Sequence, residues 1–123
     1  MSDLTQELVK RIRANKLPDL QLKDDCIHPA YDGLSILNLP GSLAKWFGAA
    51  ELHHPPIDIP GLDDLAKRAR QIVCVLIDAV ALHRFQRWLE HPGIKLSSWV
   101  KRGLSGALTS IVPSTTSAAL TTL

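Results

Sequence analysis

The feature that most constrains the fold is an uninterrupted apolar run near the middle of the chain, IVCVLI at residues 72–77. Much of the run is β-branched, and it ends at Asp78. Such a run is typical of a strand buried on both faces, as in a parallel sheet. The sequence therefore predicts a buried strand over residues 71–78. Cys74 lies inside it and is predicted to be a small buried hydrophobe.

The segments around this run alternate between helical and strand patterns. Residues 61–69 and 80–90 carry apolar side chains at helical spacing, and residues 96–101 favour a further helical turn. Residues 106–112 read as a second strand, after which a new helix begins. This alternation predicts an α/β fold with a mostly parallel sheet. We assign residues 61–123 to the start of such a domain.

The first half of the chain, residues 1–60, is predicted to be a helical and irregular N-terminal extension. A helix is expected over residues 3–15, with Asp3 as its N-cap. Residues 17–40 are rich in turn-forming residues and lack a clear period. Ser42 is predicted to cap a short helix that reaches about residue 50.

Composition and charge exclude several classes of protein. A 46% hydrophobic and 21% charged composition predicts a chain that can bury a core. The net charge of +2 is small and the basic residues are scattered, so we expect no nucleic-acid binding surface. No secretory signal or membrane-spanning run is present in the sequence, so we expect no membrane association and a cytoplasmic location.

The candidate functional residues follow the two predicted strands. Asp78 directly follows the first strand, and four consecutive hydroxyl residues, Ser114 to Ser117, follow the second. Ligands of parallel sheets bind beyond the carboxyl ends of the strands, so we expect these groups to lie together. Purely structural interpretations remain open, because Asp, Ser and Thr before a helix are also ordinary N-caps.

Two stretches, VCVLIDAVALHRFQRWL and LTSIVPSTTSAALTTL, resemble the type I phosphodiesterase and nucleotide pyrophosphatase branch of the alkaline phosphatase superfamily. In that family, an apolar strand ends in a metal-binding Asp. A second strand leads to a Pro-Ser/Thr-x-Thr motif whose last Thr is the nucleophile. The matching residues here are Asp78 and the motif at residues 113–116.

The resemblance implies a three-layer α/β/α fold and a metal-dependent hydrolase of small phosphoester substrates, either phosphodiesters or nucleotide pyrophosphates. Thr116 would be the nucleophile and a metal ligand, and Asp78 would hold one of two divalent ions, with zinc the expected metal. Thr115 and Ser117 are the candidate substrate-binding residues.

The sequence departs from the family in three respects. Ala79 stands where Gly is commoner, and Ala119 stands where nucleotide pyrophosphatases carry an Asn that contacts the phosphate, which indicates a more divergent branch. Family members also supply further Asp and His metal ligands downstream of the nucleophile. We therefore expect an N-terminal fragment that is inactive alone, with the remainder of the catalytic domain C-terminal to Leu123.

Two alternatives remain open from the sequence. The chain fits a small non-enzymatic α/β interaction module in which the hydroxyl residues serve only as a helix cap. A phosphomonoesterase, a phosphonate hydrolase or a sulfate ester hydrolase of the same superfamily would present the same half of a site.

Overall fold

A computed structural model of the protein describes residues 4–91 and 93–123. The regular structure in these residues is mostly helical. In chain order the elements are α1 (Thr5–Ala14), a 3₁₀ helix (Ile36–Asn38), α2 (Leu39–Phe47), α3 (Leu62–Ala66), α4 (Leu82–Glu90), α5 (Leu96–Arg102) and α6 (Thr116–Leu120). The predicted N-cap Asp3 lies outside the described residues. None of the described helices has the length and apolarity that a membrane span requires.

The core forms between α1 and chain segments distant from it in sequence. Leu8 and Ile12 present the apolar stripe of α1 to Ala30, Leu34 and Ala107. Leu4, Val9 and Ile59 pack around this cluster. Because it combines residues from both sides of position 60, the cluster joins the two predicted parts of the chain.

Buried polar side chains hold the irregular segments around this core. Ser35 and Thr109 form an isolated parallel β-bridge, in which the Ile36 amide donates to the Thr109 carbonyl at 3.0 Å. The Thr109 hydroxyl accepts from the Ala30 amide at 3.0 Å and donates to the Leu34 carbonyl at 3.1 Å. These bonds satisfy loop backbone that a sheet would otherwise have paired.

Asn38 and Ser42 hold the proline-rich segment against the same body. The Asn38 side-chain amide donates to the carbonyls of Tyr31, at 2.7 Å, and Pro55, at 2.9 Å. Ser42 was predicted to cap α2, but α2 begins at Leu39, and the Ser42 hydroxyl is buried and accepts from the Ile57 amide at 2.8 Å. Packing in this region therefore outweighs the local capping signal.

The predicted α/β fold with a mostly parallel sheet, including its three-layer α/β/α form, is wrong. The described residues contain no sheet, and their extended pairing is limited to isolated bridges. Residues 71–77 form no strand, and most of their side chains are exposed, among them Val73 at 84% and Val75 at 75% exposure. Cys74, predicted to be buried, is exposed too. A strand buried on both faces needs paired edges and covering helices, and the described part of the chain supplies neither.

Candidate functional site

The structure brings together the two residues on which the sequence analysis centred. The Thr116 hydroxyl lies 3.1 Å from Oδ1 and 3.2 Å from Oδ2 of Asp78 and donates a hydrogen bond to this carboxylate. The two residues are 38 positions apart, and both are exposed. The contact forms although the predicted sheet does not, so it depends on local turns at each end.

Asp78 is positioned by a tight turn at the end of the exposed apolar run. Ala79 adopts a left-handed conformation with φ of 57°, and its amide donates to Asp78 Oδ1 at 2.7 Å. A residue with a Cβ pays roughly 1–2 kcal/mol in this region of conformational space. Ala79 thus occupies a backbone geometry that suits Gly better than a residue with a Cβ.

Asp78 does not cap the helix that follows it. The N-cap of α4 is Ala81, and no side chain caps that helix. The carboxylate of Asp78 instead accepts from the Ala79 amide and from the Thr116 hydroxyl. The capping interpretation of Asp78 is therefore excluded by the geometry, and its carboxylate is directed toward the hydroxyl cluster.

Thr116 is the first residue of the short helix α6. Thr115 is the N-cap of that helix, and its hydroxyl accepts from the Ala118 amide at 3.3 Å. The capping interpretation is thus correct for Thr115. Because Thr115 caps the helix, the Thr116 hydroxyl is available to bond to Asp78. Ser117 is exposed in the first turn, beside Thr116. The substrate-binding roles of Thr115 and Ser117 stay predictions.

The segment before the cluster is attached to the body of the protein by contacts that sequence analysis missed. The Val112 amide donates to the Tyr31 hydroxyl at 3.1 Å, and Ile111 is buried. The Val112–Pro113 peptide bond is cis. Tyr31 lies in the irregular first half of the chain, where no sequence pattern signals a contact 81 residues away.

An apolar cleft lies beside the hydroxyl cluster. It has a volume of about 340 Å³. Its lining residues include 107–112 and Ser114, together with Ile27, Pro29 and Leu82. A cleft of this kind can accept the apolar part of a ligand while a polar group projects toward the hydroxyl residues.

The donors at the site are oxygens. The Asp78 carboxylate and the Thr116 hydroxyl are the ligand types that hard or borderline cations accept. Among residues 4–91 and 93–123, however, no group of three or more His, Cys, Asp or Glu is placed to hold a metal ion. The metal-binding roles of Asp78 and Thr116 therefore stay predictions.

The described carboxyl group with a clearly shifted pKa lies away from this site: it is that of Asp63, on α3. Hydrogen bonds from the Lys45 ammonium and the Trp46 indole lower the pKa of Asp63 below its model-compound value of 3.8. This cluster joins α2 to α3, and each of its groups has a partner within the cluster. It is therefore a structural contact between helices.

No protein family, curated protein or solved structure significantly matches the chain.

Proposed function

We propose that this chain carries the nucleophile and one metal-binding carboxylate of a metal-dependent phosphoester hydrolase, related to the type I phosphodiesterase branch of the alkaline phosphatase superfamily. The observation that carries the proposal is the contact between the Thr116 hydroxyl and both carboxylate oxygens of Asp78. A hydroxyl held against a carboxylate in an exposed position is the arrangement of an activated nucleophile. The proposal rests on this local geometry and on the resemblance of the two motifs, and it requires no sheet.

The chemistry assigned to the chain's own residues is an attack on phosphorus. Thr116 Oγ1 forms the new bond to phosphorus, its proton passes to the Asp78 carboxylate, and the ester oxygen leaves with the electrons of the broken bond. The departing ester oxygen takes this proton from Asp78. With a phosphodiester, the threonine adduct keeps the second organic group on phosphorus. A water molecule then attacks phosphorus, leaves its hydroxyl there and returns a proton to Thr116 Oγ1. Asp78 is suited to accept the proton because it already accepts the hydrogen bond from that hydroxyl.

The backbone around Thr116 offers further help for an anionic substrate. In the described part of the chain, the amides of Thr116 and Ser117 donate to no other group. Both lie at the start of α6, where the helix dipole favours negative charge. A phosphate oxygen can therefore approach these amides while phosphorus faces the Thr116 hydroxyl.

Two divalent ions, with zinc the expected metal, belong to the proposal as its cofactors. Asp78 and Thr116 would hold one of them by their oxygens, and the other ligands lie outside the set that the described residues supply. When bound, such ions lower the pKa of a coordinated hydroxyl and neutralise charge on phosphate oxygens. We further propose a cytoplasmic location, which agrees with the free thiols of Cys26 and Cys74.

The proposed substrates are small phosphodiesters or nucleotide pyrophosphates. The apolar cleft beside Ser114 offers a surface for the leaving or retained organic group. Hydrolases of phosphomonoesters, phosphonates or sulfate esters would use the same pair of residues. A panel of p-nitrophenyl esters of phosphoric, phosphonic and sulfuric acid separates these activities, and we expect the fastest turnover with the phosphodiester.

The test uses the gene product as encoded, including any residues that follow Leu123, with zinc in excess. We expect Thr116→Ala to lower the hydrolysis rate of bis(p-nitrophenyl) phosphate by at least roughly a thousandfold, because the nucleophile is lost. Thr121→Ala is the matched control, since the Thr121 hydroxyl donates only to the Ala118 carbonyl of the same helix, at 2.7 Å. Wild-type turnover in Thr116→Ala would contradict the proposal.

A second candidate, a non-enzymatic interaction module, is favoured by one specific observation. Residues 71–77 expose apolar side chains and a backbone without hydrogen bonds in the described structure. In this alternative, Thr115 serves only as a cap and the Asp78–Thr116 contact only closes a turn. Absence of zinc-stimulated hydrolysis of every ester in the panel, by wild-type protein, would favour the module over the hydrolase.

A further inference from the structure

The exposed apolar run, residues 71–77, combines exposed apolar side chains with a backbone that lacks hydrogen bonds in the described structure. Val73, Val75 and Leu76 are 84%, 75% and 52% exposed, respectively. No backbone hydrogen bond is made or received by residues 71–77 within the described part of the chain. An apolar, largely β-branched run with an unpaired backbone can pair with another chain as a strand once it extends.

We propose that residues 70–78 form a self-association surface, on which the extended run of one copy pairs antiparallel with the same run of a second copy. This inference requires no catalysis, although Asp78 belongs both to the pairing and to the proposed hydrolase site. The pairing is isologous, so a twofold axis relates the two copies. Each strand then satisfies backbone donors and acceptors of the other.

Charge complementarity selects the register of this pairing. Arg70 and Asp78 lie on either side of the run, at equal distances from Cys74. In an antiparallel pair centred on Cys74, Arg70 of each copy therefore lies opposite Asp78 of the other. Opposite charges that face each other across strands stabilise the pair. Between them, Ile72 lies opposite Leu76 and Val73 lies opposite Val75, while Gln71 lies opposite Ile77.

Symmetry and burial exclude the neighbouring registers. Directly opposite residues alternate between hydrogen-bonded and non-hydrogen-bonded pairs, so an exact twofold axis must pass through a residue position and not between two. An axis at Val73 places Arg70 opposite Leu76, and an axis at Val75 places Asp78 opposite Ile72. Both registers bring a charge against an apolar side chain, whereas the axis at Cys74 does not.

The register centred on Cys74 predicts that a disulfide can form between the Cys74 residues of the two copies. Directly opposite residues in an antiparallel pair have Cα atoms about 4.5–5.5 Å apart, which is within the range that a disulfide spans. Cys74 is an exposed free thiol, so an oxidant can reach it. Residues displaced by one position from the axis face their own counterparts diagonally, at about 7–8 Å, which is at or beyond the limit for a disulfide.

The first experiment tests this register by disulfide cross-linking through Cys74. The protein carries Cys26→Ser, which removes the other free thiol. Under diamide we expect a disulfide-linked dimer on a non-reducing gel, formed at least tenfold faster than in the control that combines Cys26→Ser, Cys74→Ser and Val75→Cys. Equal rates in the two proteins, or no dimer in either, would overturn the proposed register.

The second experiment tests the charge pairs by sedimentation equilibrium of the reduced protein. We expect Arg70→Asp to raise the dimer dissociation constant at least about fivefold, because like charges then face each other twice. Arg68→Asp makes the same charge change outside the paired run and should alter the constant less than twofold. The charge swap Arg70→Asp with Asp78→Arg should restore the wild-type value.

Two outcomes of sedimentation would contradict the inference. One is a monomer at all concentrations up to the millimolar range, which means that the run has another occupant or none. The other is open-ended growth beyond a dimer, which means that no closed pair forms. Neither outcome depends on hydrolytic activity, so failure of this inference is distinguishable from failure of the hydrolase proposal.

Discussion

The molecule contains one region that buries apolar side chains and another that leaves them exposed. In the first, which we call the core region (residues 4–42 and 104–111), Leu8 and Ile12 are 1% and 4% exposed. In the second, the exposed region (residues 61–103), none of the described side chains is buried. The apolar content of residues 72–77 exceeds that of α1, so hydrophobicity alone does not decide which region forms a core.

The difference lies in how each region satisfies its backbone. In the core region, side chains such as Asn38 and Thr109 bond to loop carbonyls and amides, which allows irregular chain to be buried. In the exposed region, the run at residues 71–77 has no such partners in the described structure. Ala30 and Leu34, for example, are buried in irregular chain whose amides and carbonyls are paired, which avoids the cost of burying unpaired backbone.

The largest effect on stability is expected from Leu8→Ala in the core region. Leu8 is 1% exposed and contacts the centre of the cluster. Truncation should lower the free energy of unfolding by about 2–5 kcal/mol, because transfer and cavity costs add. Chemical denaturation measures this change. A loss below about 1 kcal/mol would show that the core region is not the main source of stability.

The next largest effect is expected from Asn38→Ala. The Asn38 side chain accepts from the Ser35 amide at 2.9 Å and donates to two carbonyls, so its removal leaves the amide of the buried Ser35 and two partly buried carbonyls unpaired. We expect a loss of about 2–3 kcal/mol in the free energy of unfolding. Asn15→Ala is a milder control, because Asn15 donates to a single carbonyl, that of Pro29. An equal loss in both variants would contradict the central role of Asn38.

A smaller, pH-dependent effect is expected at the border of the exposed region, from Asp63→Ala. Hydrogen bonds from Lys45 and Trp46 lower the pKa of Asp63, so its contribution is present at neutral pH and is lost as pH falls below 3.8. The side chain is 42% exposed, so solvent screening limits the loss at pH 7 to about 1 kcal/mol or less. The difference in the free energy of unfolding between wild type and Asp63→Ala should be smaller at pH 3 than at pH 7. A difference that grows toward low pH would contradict this assignment.

The smallest effect is expected from Val75→Ala in the exposed region. Val75 is 75% exposed, so its truncation removes little buried surface. At protein concentrations low enough to keep the chain monomeric, the free energy of unfolding should change by less than about 0.5 kcal/mol. Denaturation at micromolar concentration measures this. A loss above about 1 kcal/mol would mean that the run is buried in the monomer, and the contrast between the regions would fail.

The helices could be predicted from sequence, because their signals are local. The apolar stripe of α1, the spacing in residues 80–90 and the short helix near residues 96–101 each correspond to an observed helix. The predicted sheet was wrong, because an apolar run indicates a preference for burial and does not indicate whether a partner strand is present. The polar network of Asn38, Ser42 and Thr109 gave no sequence signal, since isolated polar residues in loops are common.

The contact between Asp78 and Thr116 was predicted for a partly wrong reason, and the catalytic and metal-binding roles of these residues stay predictions. Asp78 and Thr116 were expected to meet at the edge of a parallel sheet, and they meet without one. The contact follows instead from the left-handed turn at Ala79 and from the attachment of Val112 to Tyr31. A turn depends on a few adjacent residues, so a motif can retain its local geometry where the larger fold differs.

The most direct test of the hydrolase proposal is detection of the covalent intermediate. The gene product, with zinc in excess, is incubated with bis(p-nitrophenyl) phosphate, quenched in acid and analysed by peptide mass spectrometry. We expect a p-nitrophenyl phosphoryl adduct on the peptide that contains Thr116, absent from Thr116→Ala and retained in Thr121→Ala. Turnover of the ester without an adduct at Thr116, or with the adduct on another residue, would contradict it.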